Sequence, residues 1–469
     1  MLFTSLSFLL FFPAVCAIYY LLPRNVWRTW FLLIASFVFY MNINAKCALI
    51  LLGCIVVTWL GGLALEKSSH KKRVLWGIVA ANVLVLGFFK YTNFVIDSIS
   101  GVLNVVGGGN SIHGFDIVLP VGISFYTFKA ISYIADVYQG KIEPEKDFVL
   151  FALYVSFFPQ LLAGPIERAG NLLPQFRKKV AFDGRNVTAG LKMMLWGYFM
   201  KLVFSDRAAI YVDTIYGNLH AQNGTAILTA AILYSFQIYC DFAGYSLLSI
   251  GVAKAMGYDV MQNFNRPYMA KSITEFWKRW HISLTKWLTD YVYIPLGGSR
   301  CSKAKTYRNI LITFLVSGLW HGAAWNFVIW GGIHGVIQII EKQLGLAKAE
   351  CKSFIVNAFR TLSTFFVATL AWMFFRLPSF GDAVYGIGKI FTSAGSPLGG
   401  RDATSAFEYC MLGLFFVLAK DILDEYFPGK FRLFENKSVV VRYLSYILVS
   451  MMILALGVFD NSQFIYMQF

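Results

Sequence analysis

The chain has 469 residues, of which 57% are hydrophobic, 17% aromatic and only 14% charged. Soluble domains carry about a quarter charged residues, so this composition excludes an ordinary water-soluble enzyme and makes lipid the solvent for most of the chain. The formal charge of +16 would suit a nucleic-acid binder, but the basic residues stand in loops between apolar runs, where topology and anionic lipid account for them without nucleic acid.

The apolar residues fall into about a dozen blocks approaching the ~20 residues that a spanning helix needs. They predict an all-α, polytopic transmembrane helical bundle with re-entrant segments, since barrel strands would alternate apolar with polar residues. Met1 to Leu22 lacks the early Lys or Arg and the small-residue cleavage site of a signal peptide and reads as the first membrane helix. Basic loops at Arg24 to Arg28 and Lys67 to Arg73 are separated by two apolar runs, Trp30 to Tyr40 and Ala48 to Leu63, so both are cytoplasmic if the N-terminus is outside. The stretch Gly101 to Gly114, free of Lys and Arg, is expected as an outside loop after the run Val74 to Val95.

Two apolar runs between Leu119 and Ala163 lead to a loop holding Arg168, Arg177, Lys178, Lys179 and Arg185. That loop cannot be cytoplasmic if both runs cross, so one is expected to be re-entrant, with Pro120, Gly122, Pro159 and Gly164 as the breaks. After crossings at Val187 to Phe204 and Thr225 to Ala255, residues 261–308 carry nine basic residues against two acidic ones, the strongest cytoplasmic signal in the chain. The run Asn309 to Ile340 is followed by Lys342, Lys348 and Lys352 and is too short for two full spans, which predicts a re-entrant segment or short hairpin broken near Gly322. Crossings at Phe354 to Phe375, Ala406 to Ala419 and Val439 to Phe459 then place residues 460–469 outside, so that both termini are extracytoplasmic and residues 1–469 form one bundle. The seven cysteines are scattered without the spacing of a zinc site or disulfide framework and read as packing residues, with no metal expected.

Three clusters carry possible chemistry. Ile273 to Val292 sets Trp277, Trp280, Leu284, Trp287 and Tyr291 at spacings of three and four, predicting an amphipathic helix in the cytoplasmic interface. An interfacial anchor explains the aromatics but does not require His281. His321, in the apolar segment Ser317 to Asn326, is an intramembrane ionisable residue, for which function is the default hypothesis and a satisfied structural histidine the alternative. His334 suits helix packing equally well, while His70, His113 and His220 fall in loops. Asp241, inside the run Gln237 to Ser246, needs a partner: it could orient a histidine, pair with an Arg or lock two helices. Walker A, His-Glu-x-x-His and Gly-x-Ser-x-Gly patterns are missing.

The runs Leu119-Pro-Val-Gly-Ile-Ser-Phe-Tyr-Thr-Phe128, Phe157-Phe-Pro-Gln-Leu-Leu-Ala-Gly-Pro-Ile-Glu-Arg168, Phe276-Trp-Lys-Arg-Trp-His-Ile-Ser-Leu-Thr285, Asp290-Tyr-Val-Tyr-Ile-Pro-Leu-Gly-Gly-Ser-Arg300 and Leu319-Trp-His-Gly322 resemble the membrane-bound O-acyltransferase family. Within it they look most like the bacterial subgroup of alginate O-acetyltransferase membrane subunits. The resemblance implies acyl transfer from a cytoplasmic thioester, acetyl-CoA in this subgroup, to a hydroxyl of an exported polysaccharide such as alginate, in a bacterial inner membrane. It places the family's essential histidine on His321 and its second motif histidine on His281. His321 is then the expected base, with His281 holding the donor or stabilising the oxyanion. Lys278, Arg279 and Arg300 are candidates to meet the CoA phosphates, and Asp241, Asp290 and Asn326 are supporting polar residues. No permanently bound cofactor is implied. The aromatic tail Phe464 to Phe469 looks like the subgroup's C-terminal tail and is expected to dock an extracytoplasmic acetyltransferase partner.

Two related reactions are alternatives, D-alanyl transfer to teichoic acid and peptidoglycan O-acetylation. A transporter or flippase would show paired helix breaks in two halves. Here the unusual polar residues concentrate between Gln237 and His334, which favours one reaction centre; a recruiting scaffold would leave His321 unexplained.

Overall fold

The structure is a computed structural model that describes the chain apart from residues 106, 108–113, 163, 347–350, 352, 399–400, 431, 460–464 and 466–469 and the side chains of 401–403. The described residues are helical throughout the bundle. α1 (Leu6–Leu21), α2 (Asn25–Met41), α3 (Cys47–Lys67) and α4 (Lys71–Val105) run up and down between the basic turns at 22–24 and 68–70 and the opposite end. α4 continues ten residues past the expected end of its apolar run, so the stretch expected as a loop from Gly101 starts as helix.

α5 (Ile123–Tyr138) returns to the basic end, where Trp59 of α3 donates to the Glu145 carbonyl (2.9 Å). α6 (Phe148–Ser156) and α7 (Phe158–Leu161) then climb only partway: the Phe158 N–H is taken by Ser36, in the middle of α2 (3.1 Å). The chain comes back to α8 (Ala169–Phe176), and Arg177 pairs with Glu145 at 2.6 Å. The second of the two runs is therefore the re-entrant one. Its break is satisfied by a lysine, because Lys129 Nζ of α5 donates to the Tyr154 carbonyl (3.0 Å) and Gln160 Oε1 (2.9 Å). Irregular backbone at this depth persists only where protein supplies its hydrogen bonds.

α9 (Gly184–Tyr198) passes through a π-helical turn at Phe199–Ser205 into α10 (Asp206–Tyr216), and α11 (Gly224–Ala255) runs back through the middle of the bundle. α9 and α11 touch backbone to backbone: a Cβ on Gly190 would lie 2.3 Å from the Gly251 carbonyl. Small residues substitute here for the hydrophobic drive that lipid cannot supply. At the basic end follow α12 (Ile273–Arg279), α13 (Ile282–Leu288) and a π-helical turn at Thr289–Tyr293. The amphipathic stretch expected as one helix is thus split, and its Trp277, Trp280, Leu284 and Trp287 are buried against the bundle.

α14 (Lys303–His321) and α15 (Trp325–Gln343) form the short hairpin expected around Gly322. α16 (Phe354–Arg376), α17 (Phe380–Thr392), α18 (Arg401–Tyr426) and α19 (Val439–Leu456) complete the chain. By length and composition five described helices can each cross a membrane, α3, α4, α11, α16 and α19, fewer than the dozen apolar blocks, because the other described helices are shorter or more polar. Leu6, Leu10, Leu21, Phe354, Phe359, Leu444 and Leu454 stand exposed on the outer helices, as a lipid-facing surface requires. The Met1 amino group bonds to the Phe39 carbonyl, at the end of α2 away from Arg24 (3.0 Å).

Candidate active site

α14 ends on His321, and the chain reverses over Gly322 to Ala324 before α15 begins. The two helices are pressed together at glycines. A Cβ on Gly318 would meet the Phe327 carbonyl at 2.2 Å, and one on Gly331 would meet the Phe314 carbonyl at 2.2 Å. His321 is buried, its ring against Trp320 (4.7 Å between centroids), Trp330 (5.0 Å) and Phe375 (5.5 Å).

His281 reaches the same aromatic box from the α12–α13 break. It is a non-glycine residue in the left-handed region (φ 42°, ψ 55°), fully buried. That conformation costs about 1–3 kcal/mol and persists only where the surroundings impose it, which is common at functional sites. The imposing group is Asn263. Its carbonyl takes the Ile282 N–H (2.9 Å), its Oδ1 takes the Ser283 hydroxyl (2.9 Å), and its Nδ2 donates to Ser246 of α11 (3.0 Å). The His281 ring packs edge-on to Phe242 (4.6 Å) and faces Trp320 (5.8 Å). His281 and His321 thus flank one indole. His334 lies on the far side of Trp330 (5.0 Å) and against Trp277 (5.2 Å), a packing position.

A cavity of about 410 Å³ opens at the basic end and climbs between α12, α13, α14 and α15. Lys278, Thr285 and Lys342 line its lower part and Thr313 and Ser317 its upper part. Ser317 stands one helical turn before His321 on α14. A second, small cavity of about 40 Å³ is lined by His321 itself, with Lys90, Pro120, Ser124 and Trp320.

Of the expected site residues, the fold brings His281 and His321 together and sets Lys278 in the mouth of the large cavity. Arg279 is committed elsewhere: its guanidinium bonds Glu425 of α18 (2.8 Å) and Glu275 (2.7 Å). Arg300 is exposed in the turn before α14, away from the cavity lining. Asp290 pairs with Arg168 (3.1 Å), and Asn326 ties the hairpin tip to the Leu377 carbonyl (2.9 Å). Asp241 meets a lysine, not a histidine or arginine. Lys201 Nζ lies 2.6 Å from Asp241 and 2.8 Å from Asp206, all three buried. Asp241 also accepts the N–H of Ile465 (2.8 Å), the one described residue of the C-terminal tail, which packs on the core; the rest of Phe464 to Phe469 lies outside the described residues, as does His113.

Three lysines escaped the sequence reading: Lys90, Lys129 and Lys201, each within an apolar run. Intramembrane charge was the available signal. Glu341 was missed too. From α15 its carboxylate accepts the Ile273 and Thr274 N–H groups (2.6 and 2.9 Å), capping the N-terminus of α12 and fixing the wall of the large cavity.

Residues 145–380, which contain the re-entrant segment, the α12–α13 break and the hairpin, match the family model described as MBOAT, membrane-bound O-acyltransferase family. The chain is 39% identical over 381 residues to the probable alginate O-acetylase AlgI of Pseudomonas aeruginosa, covering 80% of this chain and 72% of that protein. It is 34% identical to the peptidoglycan O-acetyltransferase of Helicobacter pylori, over 75% of this chain and 72% of that one. With the teichoic acid D-alanyltransferase of Bacillus subtilis the identity is 26%, over 66% and 78% of the two chains. With the family match, this breadth of similarity and two buried histidines at one indole inside a helical membrane bundle, the chain belongs to the membrane-bound O-acyltransferase family and is an O-acyltransferase.

Proposed function

We propose that this enzyme takes the acetyl group of acetyl-CoA at the basic, cytoplasmic face of a bacterial inner membrane and passes it to a hydroxyl of an exported polysaccharide, alginate or a similar exopolysaccharide. The observation that carries the reading is the cavity of about 410 Å³ that rises from Lys278 and Lys342 to Ser317, one helical turn before His321 on α14. Its volume suits a pantetheine arm with the nucleotide phosphates left at the lysines, as charge-assisted contacts favour.

In this reading the acceptor hydroxyl gives its proton to the His321 imidazole while its oxygen bonds to the thioester carbonyl carbon. The C–S bond breaks, and the CoA thiolate leaves with the proton returned by His321. A well-placed base of this kind contributes ~10²- to 10⁴-fold. His281, held rigid by its imposed backbone, is the group that steadies the thioester or its developing oxyanion. Alginate-type acceptors are favoured over D-alanyl transfer by the higher identity to the probable alginate O-acetylases, 39% against 26%. The basic loops support cytoplasmic placement of that end, with Met1 and the end of α19 on the other. An extracytoplasmic partner that completes delivery to the polymer, docking near Phe464 to Phe469, belongs to the same reading.

Ser317→Phe tests the donor route. The added ring fills the upper part of the cavity, so transfer from acetyl-CoA is expected to fall by about tenfold or more, in a membrane-inserted protein whose imidazoles are unchanged. Transfer at the wild-type rate and wild-type donor KM would remove the cavity from the mechanism.

A further inference from the structure

An α-helix ends with four carbonyls that have no intrahelical donor, and in hydrocarbon such groups must find one. At the end of α14 these belong to Gly318, Leu319, Trp320 and His321. The Gly318 carbonyl takes the Gly322 N–H. The other three are taken by two neighbouring residues of α4. Tyr91 donates its hydroxyl to the Leu319 carbonyl (2.8 Å), and Lys90 Nζ donates to the Trp320 carbonyl (2.6 Å) and the His321 carbonyl (3.2 Å). Further along α4, Ser98 accepts the Trp325 indole N–H (3.2 Å) and Phe94 packs on the same ring (5.5 Å). α4 therefore grips the hairpin on both sides of its tip.

The ammonium is suited to this place. It has three donors and no acceptor, and it sits at the negative end of the α14 dipole. It also lies 5.9 Å from the centre of the Trp320 ring, the indole that both histidines flank. Lys90 borders the small cavity at His321 and is absent from the lining of the large one.

We propose that Lys90, assisted by Tyr91, is the positioning residue of the acyl-transfer site: it fixes the height and rotation of the last residue of α14 and so aims the His321 imidazole. This rests on the reading of His321 as the base. A misplacement of about 1 Å at a reacting group can cost 10²-fold. Lys90→Met is therefore expected to lower kcat by about 10- to 100-fold with the KM for acetyl-CoA unchanged, because Lys90 does not line the donor cavity. Lys90→Arg, which keeps the charge and the donors, restores most of the rate, and Tyr91→Phe, which removes one donor at constant size, lowers kcat less.

The experiment measures kcat and donor KM for the three variants and for His321→Ala in membranes, normalised to correctly inserted protein. Retained transfer by His321→Ala overturns the catalytic reading itself. If His321→Ala is inactive, the positioning proposal is overturned on its own by a wild-type kcat in Lys90→Met, by a raised KM at unchanged kcat, or by Lys90→Arg being no better than Lys90→Met. Should Lys90→Met fail to insert, Tyr91→Phe and Lys90→Arg decide: a lowered kcat at constant KM in Tyr91→Phe with recovery in Lys90→Arg supports the proposal, and an unchanged kcat in Tyr91→Phe overturns it.

Discussion

Replacing Lys201 by Met removes the one cation that, among the described residues, pairs with this buried cluster, in which its Nζ lies 2.6 Å from Asp241 and 2.8 Å from Asp206. All three residues are at most 5% exposed. Without the ammonium, two carboxylates face each other inside the bundle. Breaking a buried ion pair by deleting one partner costs about 3–5 kcal/mol, a large share of a folded protein's total margin of about 5–15 kcal/mol. The Lys201→Met protein is therefore expected to lose its monodisperse peak in detergent at a temperature lower by on the order of 5–10 °C. The combined variant Lys201→Met, Asp206→Asn, Asp241→Asn is neutral and similar in volume, and replacing a whole buried ion cluster is often neutral. It is expected to recover most of the loss. Size-exclusion chromatography after graded heating reads both. A Lys201→Met protein as heat-resistant as wild type, or a combined variant no better than the single one, would refute the electrostatic reasoning.

Lys278 and Arg279 are adjacent in sequence and are expected to separate in kinetics. Lys278→Ala raises the KM for acetyl-CoA several-fold with little effect on stability, whereas Arg279→Ala, which takes the ion pair from Glu275 and leaves Glu425 to Arg266 alone, lowers thermal stability with little change in donor KM; steady-state kinetics beside a melting curve distinguish them. Gly318→Val puts a side chain where even a Cβ would be 2.2 Å from the Phe327 carbonyl, so α14 and α15 must part and the inserted yield should fall sharply on immunoblots of membranes.

Much of this architecture was legible in the residues, for identifiable reasons. Arg168 and Arg177 cannot lie on the basic side unless one of the two preceding runs turns back, and Arg177 does reach Glu145 there. Lys342 made the same demand of the His321 segment, and Gly322 marked its tip. Other features leave no trace in a pattern of apolar and polar residues. The left-handed backbone at His281 is imposed by Asn263, which stands eighteen positions earlier, so the 3- and 4-residue spacing of Ile273 to Val292 reads as one continuous helix when it is two. Its aromatics mimic an interfacial face, yet tertiary packing takes them inside. The partner of Asp241 was open because Lys201 lies in an apolar run on another helix. Lys90 was missed differently: the run Val74 to Val95 was read for its length, although a lysine within it is costly enough in lipid to announce a function.

The most direct test is transfer of labelled acetyl from acetyl-CoA to polysaccharide or partner in membranes holding either the wild-type chain or His321→Ala, with insertion of the two matched. The account predicts transfer by the wild type and its loss in the variant at equal insertion. Full transfer by His321→Ala would contradict the assignment of that imidazole as the base.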